Sequence, residues 1–167
     1  MKYKTFKIYI PTVLVVVLDQ LSKISITTNF ALWESRDIIG SFIKFSYVRN
    51  TGLAFGISVG DWGILITALS FIATIFIGYL HWQERCNHHF IVIGLAMIFG
   101  GAIGNLIDRS TIFFTEPYQG VVDFIDVGIG ASRWYTFNIA DSAVTIGIGL
   151  YILHSIINKF EINVENG

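Results

Sequence analysis

Two aspartates in the second half of the sequence could together carry out acid–base chemistry. Asp123 ends the run Gly-Val-Val-Asp, and Asp141 follows Phe-Asn-Ile-Ala at the start of a long apolar segment. Both are predicted at the edge of a membrane, where a charged group is costly and usually serves a function. If one carboxyl keeps its proton while the other loses it, the pair can activate a water and protonate a carbonyl. This chemistry suggests an aspartyl protease.

The composition indicates a membrane protein. Of 167 residues, 53% are hydrophobic and only 14% are charged, whereas soluble domains carry about 25% charged residues. A net charge of -1 argues against nucleic acid as a partner. Cys86 cannot form an internal disulfide, and the adjacent His88 and His89 lack metal-ligand spacing. No metal site is predicted.

The apolar runs predict an all-α integral membrane protein with one membrane domain over residues 1–167. Four runs approach the roughly 20 residues that span a bilayer, and they predict transmembrane helices at about 8–28, 62–82, 90–107 and 134–157. Two external segments then remain, 29–61 and 108–133. The first is rich in aromatic and β-branched residues at 42–48 and predicts a small β element on the membrane surface; the second is predicted as an external loop between helices three and four.

The N-terminal lysines predict the orientation. Lys2, Lys4 and Lys7 favour a cytoplasmic N-terminus, and four crossings return the C-terminus to the same side. The run from Ile8 to Leu18 could also be a signal peptide. No small-residue cleavage site follows it, so a retained first helix is expected.

Polar residues at helical spacing mark the outer ends of the first and third helices. Asp19 and Lys23 lie four residues apart, and this spacing fits either a self-neutralising ion pair or a part of the site. Asn105, Asp108 and Arg109 also share one side of a helix. Helix capping and an interfacial Asp–Arg pair are the alternative explanation for those three.

The remaining candidates lie in the external segment and at the fourth helix. Asn138 and Asp141 are three residues apart and share a helix face. Asn50 precedes Thr-Gly, so it is either a turn residue or a site residue. Gly100 and Gly104 would let another helix approach closely, as would small residues of the fourth helix, namely Ala140, Ala143, Gly147 and Gly149.

A serine hydrolase is excluded although residues 56–60 match its Gly-x-Ser-x-Gly pattern. That pattern requires a histidine within reach. Each histidine is predicted at or beyond a cytoplasmic helix end, a bilayer away from Ser58: His81, His88, His89 and His154.

Taken together and in order, the motifs resemble those of the bacterial lipoprotein signal peptidases, or signal peptidase II. Five of them cover nearly the whole chain: Asp19-Gln20 with Lys23, residues 50–56, residues 101–109, residues 121–124 and residues 137–141. Leu53 departs from the small alanine usual in the family. This departure leaves Asn50 and Gly52 in place.

The resemblance implies a membrane aspartyl endopeptidase that cuts prolipoproteins just before the lipid-modified cysteine. By motif position, Asp123 and Asp141 would be the catalytic pair. The resemblance assigns substrate binding to Asn50, Asn105, Arg109 and Asn138, and support of the site to Asp19, Lys23, Gly104 and Asp108. It implies no metal or organic cofactor. The expected partners are lipid-modified prolipoproteins and membrane lipid, and the expected form is a monomer in the bacterial inner membrane with its site on the external side.

Spacing alone does not separate Asp123 from Asp126 as the partner of Asp141. In a short turn or helix, residues three apart lie on one face, so both could approach Asp141. The motif favours Asp123, because it follows Val-Val. Asp126 is then predicted to be a solvated neighbour.

Two other functional classes fit parts of the sequence. A small ion-coupled transporter could use Asp19, Lys23, Arg109 and Asp141 along an ion pathway. It would place charges through the depth of the membrane, whereas here they cluster at the outer end. A noncatalytic assembly subunit held by its glycine faces would leave Asp123 and Asp141 unexplained.

Overall fold

A computed structural model of the chain describes residues 5–52, 63–115 and 119–165. Its four long helices are α1 (Ile10–Asn29), α2 (Gly63–Gln83), α3 (His89–Ser110) and α4 (Ile139–Glu165). Each contains a segment long and apolar enough to cross a membrane. The prediction of four transmembrane helices is confirmed, although the fourth begins at Ile139 and not at 134.

Helix α1 has a polar stripe inside an otherwise apolar surface. Pro11 lies in its first turn, where a missing N–H is tolerated, and the helix ends where Phe30 turns extended. The buried stripe recurs every three or four residues, so it lies on one face: Thr12, Val15, Asp19, Lys23 and Ile26. Leu14, Leu18 and Leu21 are more than half exposed on the opposite side. That apolar face suits contact with lipid.

Helix α3 lies at the centre and packs against the other three helices. A Cβ on Gly100 would lie 2.8 Å from Val15 Cβ of α1, and one on Gly101 would collide with the Ala140 carbonyl of α4. Gly147 likewise approaches α3. These glycines let the backbones come together, as predicted. Gly149 differs, because nothing lies within 4 Å of its added Cβ, so its predicted packing role is wrong.

The two segments that were predicted to be external form a four-stranded antiparallel sheet, so the protein is mostly helical but not all-α. The strands follow chain order: β1 (Ser35–Ile39), β2 (Ile43–Asn50), β3 (Val121–Ile129) and β4 (Ser132–Arg133). The predicted β element corresponds to β1 and β2. The predicted loop at 108–133 instead contains β3, which pairs with β2 over most of its length. Its partner is remote in sequence, which is why local pattern did not reveal it.

The segment before α4 is attached to the sheet. Phe137 N donates to Ile125 O over 3.0 Å, and Ile125 N donates to Phe137 O over 2.7 Å. Below the sheet, Ile26 of α1 packs with Tyr47, Val122 and Phe124 in a buried apolar cluster. The sheet therefore fixes where α4 begins, and the cluster fixes the sheet on α1.

Candidate active site

Asn138 joins the two candidate carboxylates at the junction of β3 and α4. Its side-chain Nδ2 donates to Asp123 Oδ1 over 2.7 Å, and its backbone N–H donates to Asp141 Oδ2 over 3.2 Å. Asn138 Oδ1 in turn accepts from the Asp141 N–H over 2.9 Å. This reciprocal pattern is a helix capping box, which accounts for the start of α4 at this point. The cap thus places Asp141 in the first turn of α4.

Asp123 lies in a nearly dry environment among uncharged donors. Only 3% of its surface is exposed, and Asn50 Nδ2 donates to its Oδ2 over 3.1 Å. Burial, followed by the negative charge of Asp141, raises the pKa of the Asp123 carboxyl to about 7; bonds from Asn50 and Asn138 and the charge of Lys23 act in the opposite direction. A large share of Asp123 therefore carries a proton near neutral pH.

Asp141 has a different surrounding from Asp123. It is partly exposed, and Asn105 Nδ2 donates to its Oδ1 over 2.8 Å. Its position in the first turn of α4 also places it near the positive end of the helix dipole. Asp141 therefore accepts hydrogen bonds from Asn105 and from the backbone of Asn138 at the open side of the site. The two carboxyls are thus differentiated by their environments.

The orientation of the Asn105 amide is determined by its neighbours. Its Oδ1 accepts from Lys23 Nζ and from Asn138 Nδ2, both over 3.0 Å. Both contacts require an acceptor, so the NH2 group must face Asp141. Asn105, Asn138 and the two aspartates therefore belong to one hydrogen-bond network.

Asn50 makes both a turn contact and a contact with Asp123. Its Oδ1 accepts from the Gly52 N–H over 3.0 Å, which is the turn role, while its Nδ2 bonds Asp123. The Arg109 guanidinium reaches the Gly52 carbonyl over 3.4 Å. Arg109 Nε is buried and has no hydrogen-bond partner among the residues that the structure describes. Leu53 and the Gly-x-Ser-x-Gly run at 56–60 lie outside the described residues.

Three charged side chains of α1 and α3 lie behind this network. Lys23 Nζ is 2.8 Å from Asp19 Oδ2 and 3.0 Å from Asp108 Oδ2, and all three side chains are buried. Gly104 permits this arrangement, because a Cβ there would lie 2.6 Å from Asp19 Oδ2. The structure thus brings every predicted supporting residue together.

Gln20 is a neighbour of the site to which the sequence assigned no role. Its Nε2 lies within 3.1 Å of Asp19 Oδ2 and Gly104 O and 3.3 Å from Asp108 Oδ1. The sequence feature that could have indicated a role is that Gln20 is a polar residue next to Asp19 within an apolar run. It contributes an uncharged donor between the two buried carboxylates.

Asp126 is not the solvated neighbour that was predicted. Residues three apart on a strand point to opposite faces of the sheet, so Asp126 lies away from Asp123. It is 9% exposed, Arg133 Nε donates to its Oδ1 over 2.6 Å, and Ser46 Oγ donates to its Oδ2 over 3.1 Å. The strand geometry thus separates two aspartates that spacing alone could not.

An apolar groove lies between α2 and α3 near the Arg109 end of α3. Its volume is about 600 Å³, and its walls are Thr67, Ala68, Phe71, Ile103, Leu106, Ile107, Ser110 and Phe113. The described residues contain no cluster of three or more His, Cys, Asp or Glu side chains placed to hold a metal ion. The histidines lie elsewhere; His88, for example, caps the start of α3 and stacks on His154.

The sequence matches the family model described as Signal peptidase (SPase) II over residues 11–157. A lipoprotein signal peptidase of Desulforapulum autotrophicum is 36% identical over 150 residues, covering 87% of this chain and 89% of the relative. One of Shewanella sediminis is 40% identical over 162 residues, covering 95% and 88%.

Two solved structures have a similar fold, and both are described as bacterial membrane enzymes determined by the in meso method. The first has a TM-score of 0.77 at 32% sequence identity and covers 95% of this chain and 92% of its own. The second has a TM-score of 0.72 at 33% identity, covering 92% and 94%.

Proposed function

Because this chain belongs to the signal peptidase II family, we propose that Asp123 and Asp141 are the pair with which it removes signal peptides from prolipoproteins. The observation that carries this proposal is the double attachment of Asn138, which bonds Asp123 through its side chain and Asp141 through its backbone. One residue thereby holds two carboxyls next to each other at a helix start. Two aspartates in such an arrangement need no metal and no histidine to activate a water.

The two carboxyls have distinct parts in the reaction. Asp141, as the carboxylate, accepts a proton from a water whose oxygen attacks the scissile carbonyl carbon. Asp123, as the acid, gives its proton to the carbonyl oxygen, and its raised pKa supports this assignment. The tetrahedral intermediate then breaks its C–N bond, and the proton held by Asp141 passes to the departing nitrogen. Both carboxyls return to their starting states once Asp123 regains its proton from the product hydroxyl.

The amide and guanidinium side chains around the pair suit an extended peptide. Asn50 and Asn105 each use one hydrogen of the NH2 group within the network, and the other can bond a backbone carbonyl or the developing oxyanion. Asn138 is fully buried and donates to Asp123 and Asn105, so its part is to hold the pair. The Arg109 guanidinium, whose Nε has no partner among the residues that the structure describes, is a further donor near Gly52. Asn50, Asn105 and Arg109 would contact substrate, and Asn138 would support the pair.

The finer substrate proposal is cleavage just before a diacylglyceryl-modified cysteine. To test it, purified protein is offered matched precursors with and without the lipid group. We expect cleavage of the modified precursor at that bond and little of the unmodified one. Equal rates on both would remove lipid recognition from the proposal, and cleavage of neither would remove the peptidase assignment and favour a transporter or an assembly subunit.

The chain is a multi-pass bacterial membrane protein, and we place its site on the external side with both termini in the cytoplasm. The support is the N-terminal lysines together with the position of the sheet at one end of the helices. A topology reporter fused after Asn158 should be active only in the cytoplasm. External reporter activity would reverse the orientation.

A further inference from the structure

His81 is a buried histidine that the proposed reaction does not use. The start of α2 is level with the site, since Thr67 Oγ1 is 3.4 Å from the Arg109 carbonyl oxygen, and His81 lies about four turns further along the helix. None of the His81 surface is exposed. Neither ring nitrogen has a hydrogen-bond partner among the residues that the structure describes. Buried polar groups are nearly always paired, so this imidazole requires an explanation.

The groups that pack against the His81 ring are aromatic rings and backbone. The Tyr9 ring meets it edge to face with the centroids 5.1 Å apart, and the centroid of the Phe99 ring of α3 is 6.3 Å away. The backbone of Ile8 also faces the ring. Tyr9 is the titratable side chain among these groups, whereas the charged Lys7 close to it is exposed. The surroundings therefore supply His81 with apolar contacts and no counter-ion.

Ile8 and Tyr9 belong to a short 3-10 helix, Thr5–Tyr9, that leads into α1 and is called the N-terminal turn below. Ile8 is buried, so the turn is docked on the helices through the two residues that face His81. On the other side of the ring, α2 and α3 are in tight contact, because a Cβ on Gly78 would lie 2.9 Å from the Phe99 ring. A 3-10 helix has poorer hydrogen-bond geometry than an α-helix. The turn is therefore the element beside His81 that can move.

Packing alone does not require a histidine at this position. A phenylalanine would place a ring against the same neighbours without burying two unpaired nitrogens, which lower stability. The property that a histidine adds is a charge that can appear between about pH 5 and about pH 8. Burying a charge without a partner is costly, and a protonated ring that reaches water avoids this cost.

We propose that His81 is a pH-sensitive latch that holds the N-terminal turn against α2 and α3 while it is neutral and releases the turn when it takes a proton. In the orientation proposed above, the latch lies at the cytoplasmic end of the helices. It makes no contact with Asp123 or Asp141 and does not depend on the reaction assigned to them.

The test measures the mobility of the N-terminal turn against pH in purified protein inserted into lipid nanodiscs. Lys7→Cys carries a nitroxide label on the exposed side of the turn, and Cys86→Ser removes the single cysteine of the chain, so the label has one attachment site. A free imidazole titrates at about pH 6.5, and only the released turn leaves His81 free to take its proton. Between about pH 7.5 and about pH 5, the ratio of immobile to mobile label should therefore fall about 30-fold.

Two phenylalanine variants of the labelled protein identify the group that takes the proton. His81→Phe keeps a ring against Tyr9 but cannot be protonated, so its label should stay immobile at both pH values. His154 stacks on His88 near the start of α3, and His154→Phe should respond to pH as the protein with both histidines does. If His81→Phe does not fold, His81→Leu carries the test.

Each outcome either supports or overturns the latch. A label with the same mobility at both pH values would overturn it. A response that persists in His81→Phe, or that disappears in His154→Phe, would assign the proton to another group and would also overturn it. A response that is lost in His81→Phe alone supports the latch. The measurement requires no cleavage of a precursor, so its outcome is independent of the proposed function.

Discussion

Asp123 and Asp126 lie on the same strand, three residues apart, in opposite chemical surroundings. Asp123 has the amides of Asn50 and Asn138 as donors and another carboxyl as its neighbour. Asp126 has the Arg133 guanidinium at 2.6 Å and the Ser46 hydroxyl. Both are nearly buried, so burial does not distinguish them.

The difference shows what makes a buried carboxyl available for proton transfer. A guanidinium is permanently charged and stabilises the carboxylate form, so Asp126 is held as one half of an ion pair. Uncharged amides and a nearby carboxylate allow Asp123 to exist in either form, which an acid catalyst requires. We therefore expect the strand to carry a reactive aspartate on one face and a structural one on the other.

The largest expected effect follows from removing either member of the pair. Asp123→Asn, Asp141→Asn and the double variant should each lower cleavage of the lipid-modified precursor on the order of 10⁴-fold or more, since groups acting as a unit are lost together. The variants should still insert and bind substrate. Asp37→Asn, which alters an exposed carboxylate on the sheet, should stay fully active. An active Asp123→Asn beside an inactive Asp126→Asn would transfer the catalytic role to Asp126.

The environment of Asp123 also predicts a pH dependence. Its pKa is about 7, raised by burial and by Asp141, so the acid form is lost above about pH 7 and the rate should fall about tenfold per pH unit there. Asp126→Asn should keep this behaviour. A rate that stays constant from about pH 7 to about pH 9 would exclude Asp123 as the acid.

Stability should depend on the same group. The pKa of Asp123 in the folded protein lies above its ordinary value of 3.8, so between about pH 4 and about pH 7 the native state holds a proton that the unfolded state has released. The free energy of unfolding should therefore fall as pH rises through this window. Thermal unfolding in detergent measures it, and Asp123→Asn should lack this part of the slope.

Hydropathy and motif order predicted much of this protein, for physical reasons. A bilayer requires about 20 consecutive apolar residues, so each transmembrane helix can be recognised from its own stretch of sequence. The strand β3 could not be recognised in this way, because the β2 residues that it pairs with lie 71 to 84 positions earlier in the chain and its own sequence was taken for a loop. The start of α4 was missed for a related reason, since the apolar residues before it pair with the sheet.

The site was predicted as a set of residues, not as a geometry. The motif positions predicted that Asn50, Asn105 and Asn138 lie near Asp123 and Asp141. They did not predict which amide oxygens accept hydrogen bonds and which amide nitrogens donate them. The spacing of Asn138 and Asp141 predicted only that they share a helix face, and it did not predict the capping box that they form. No role was predicted for Gln20, because the partners of a single polar residue in an apolar run depend on how the helices pack and cannot be inferred from the sequence.

A smaller effect is expected from closing the space between α1, α3 and α4. In Gly104→Ala the new methyl would lie 2.6 Å from Asp19 Oδ2 and 3.3 Å from Ala140 Cβ. Such overpacking costs about 1–3 kcal/mol, and the shift of Asp19 should lower kcat about tenfold. Gly149→Ala is the control, because nothing lies within 4 Å of its added Cβ. Equal behaviour of the two variants would show that Asp19 tolerates displacement.

The smallest effect on catalysis is expected at Asp126. In Asp126→Asn the acceptor of the bond from Arg133 Nε loses its charge, while Arg133 keeps its bonds to the Ser41 and Asp126 carbonyls. The lost charge should lower the free energy of unfolding by about 1 kcal/mol, since the pair is partly exposed. Asparagine keeps the volume, so β3 should stay in register and kcat within about twofold of wild type. Thermal unfolding and cleavage of the lipid-modified precursor measure both quantities. Loss of activity without loss of stability would mean that the two faces of β3 are coupled, and the contrast between its two aspartates would not hold.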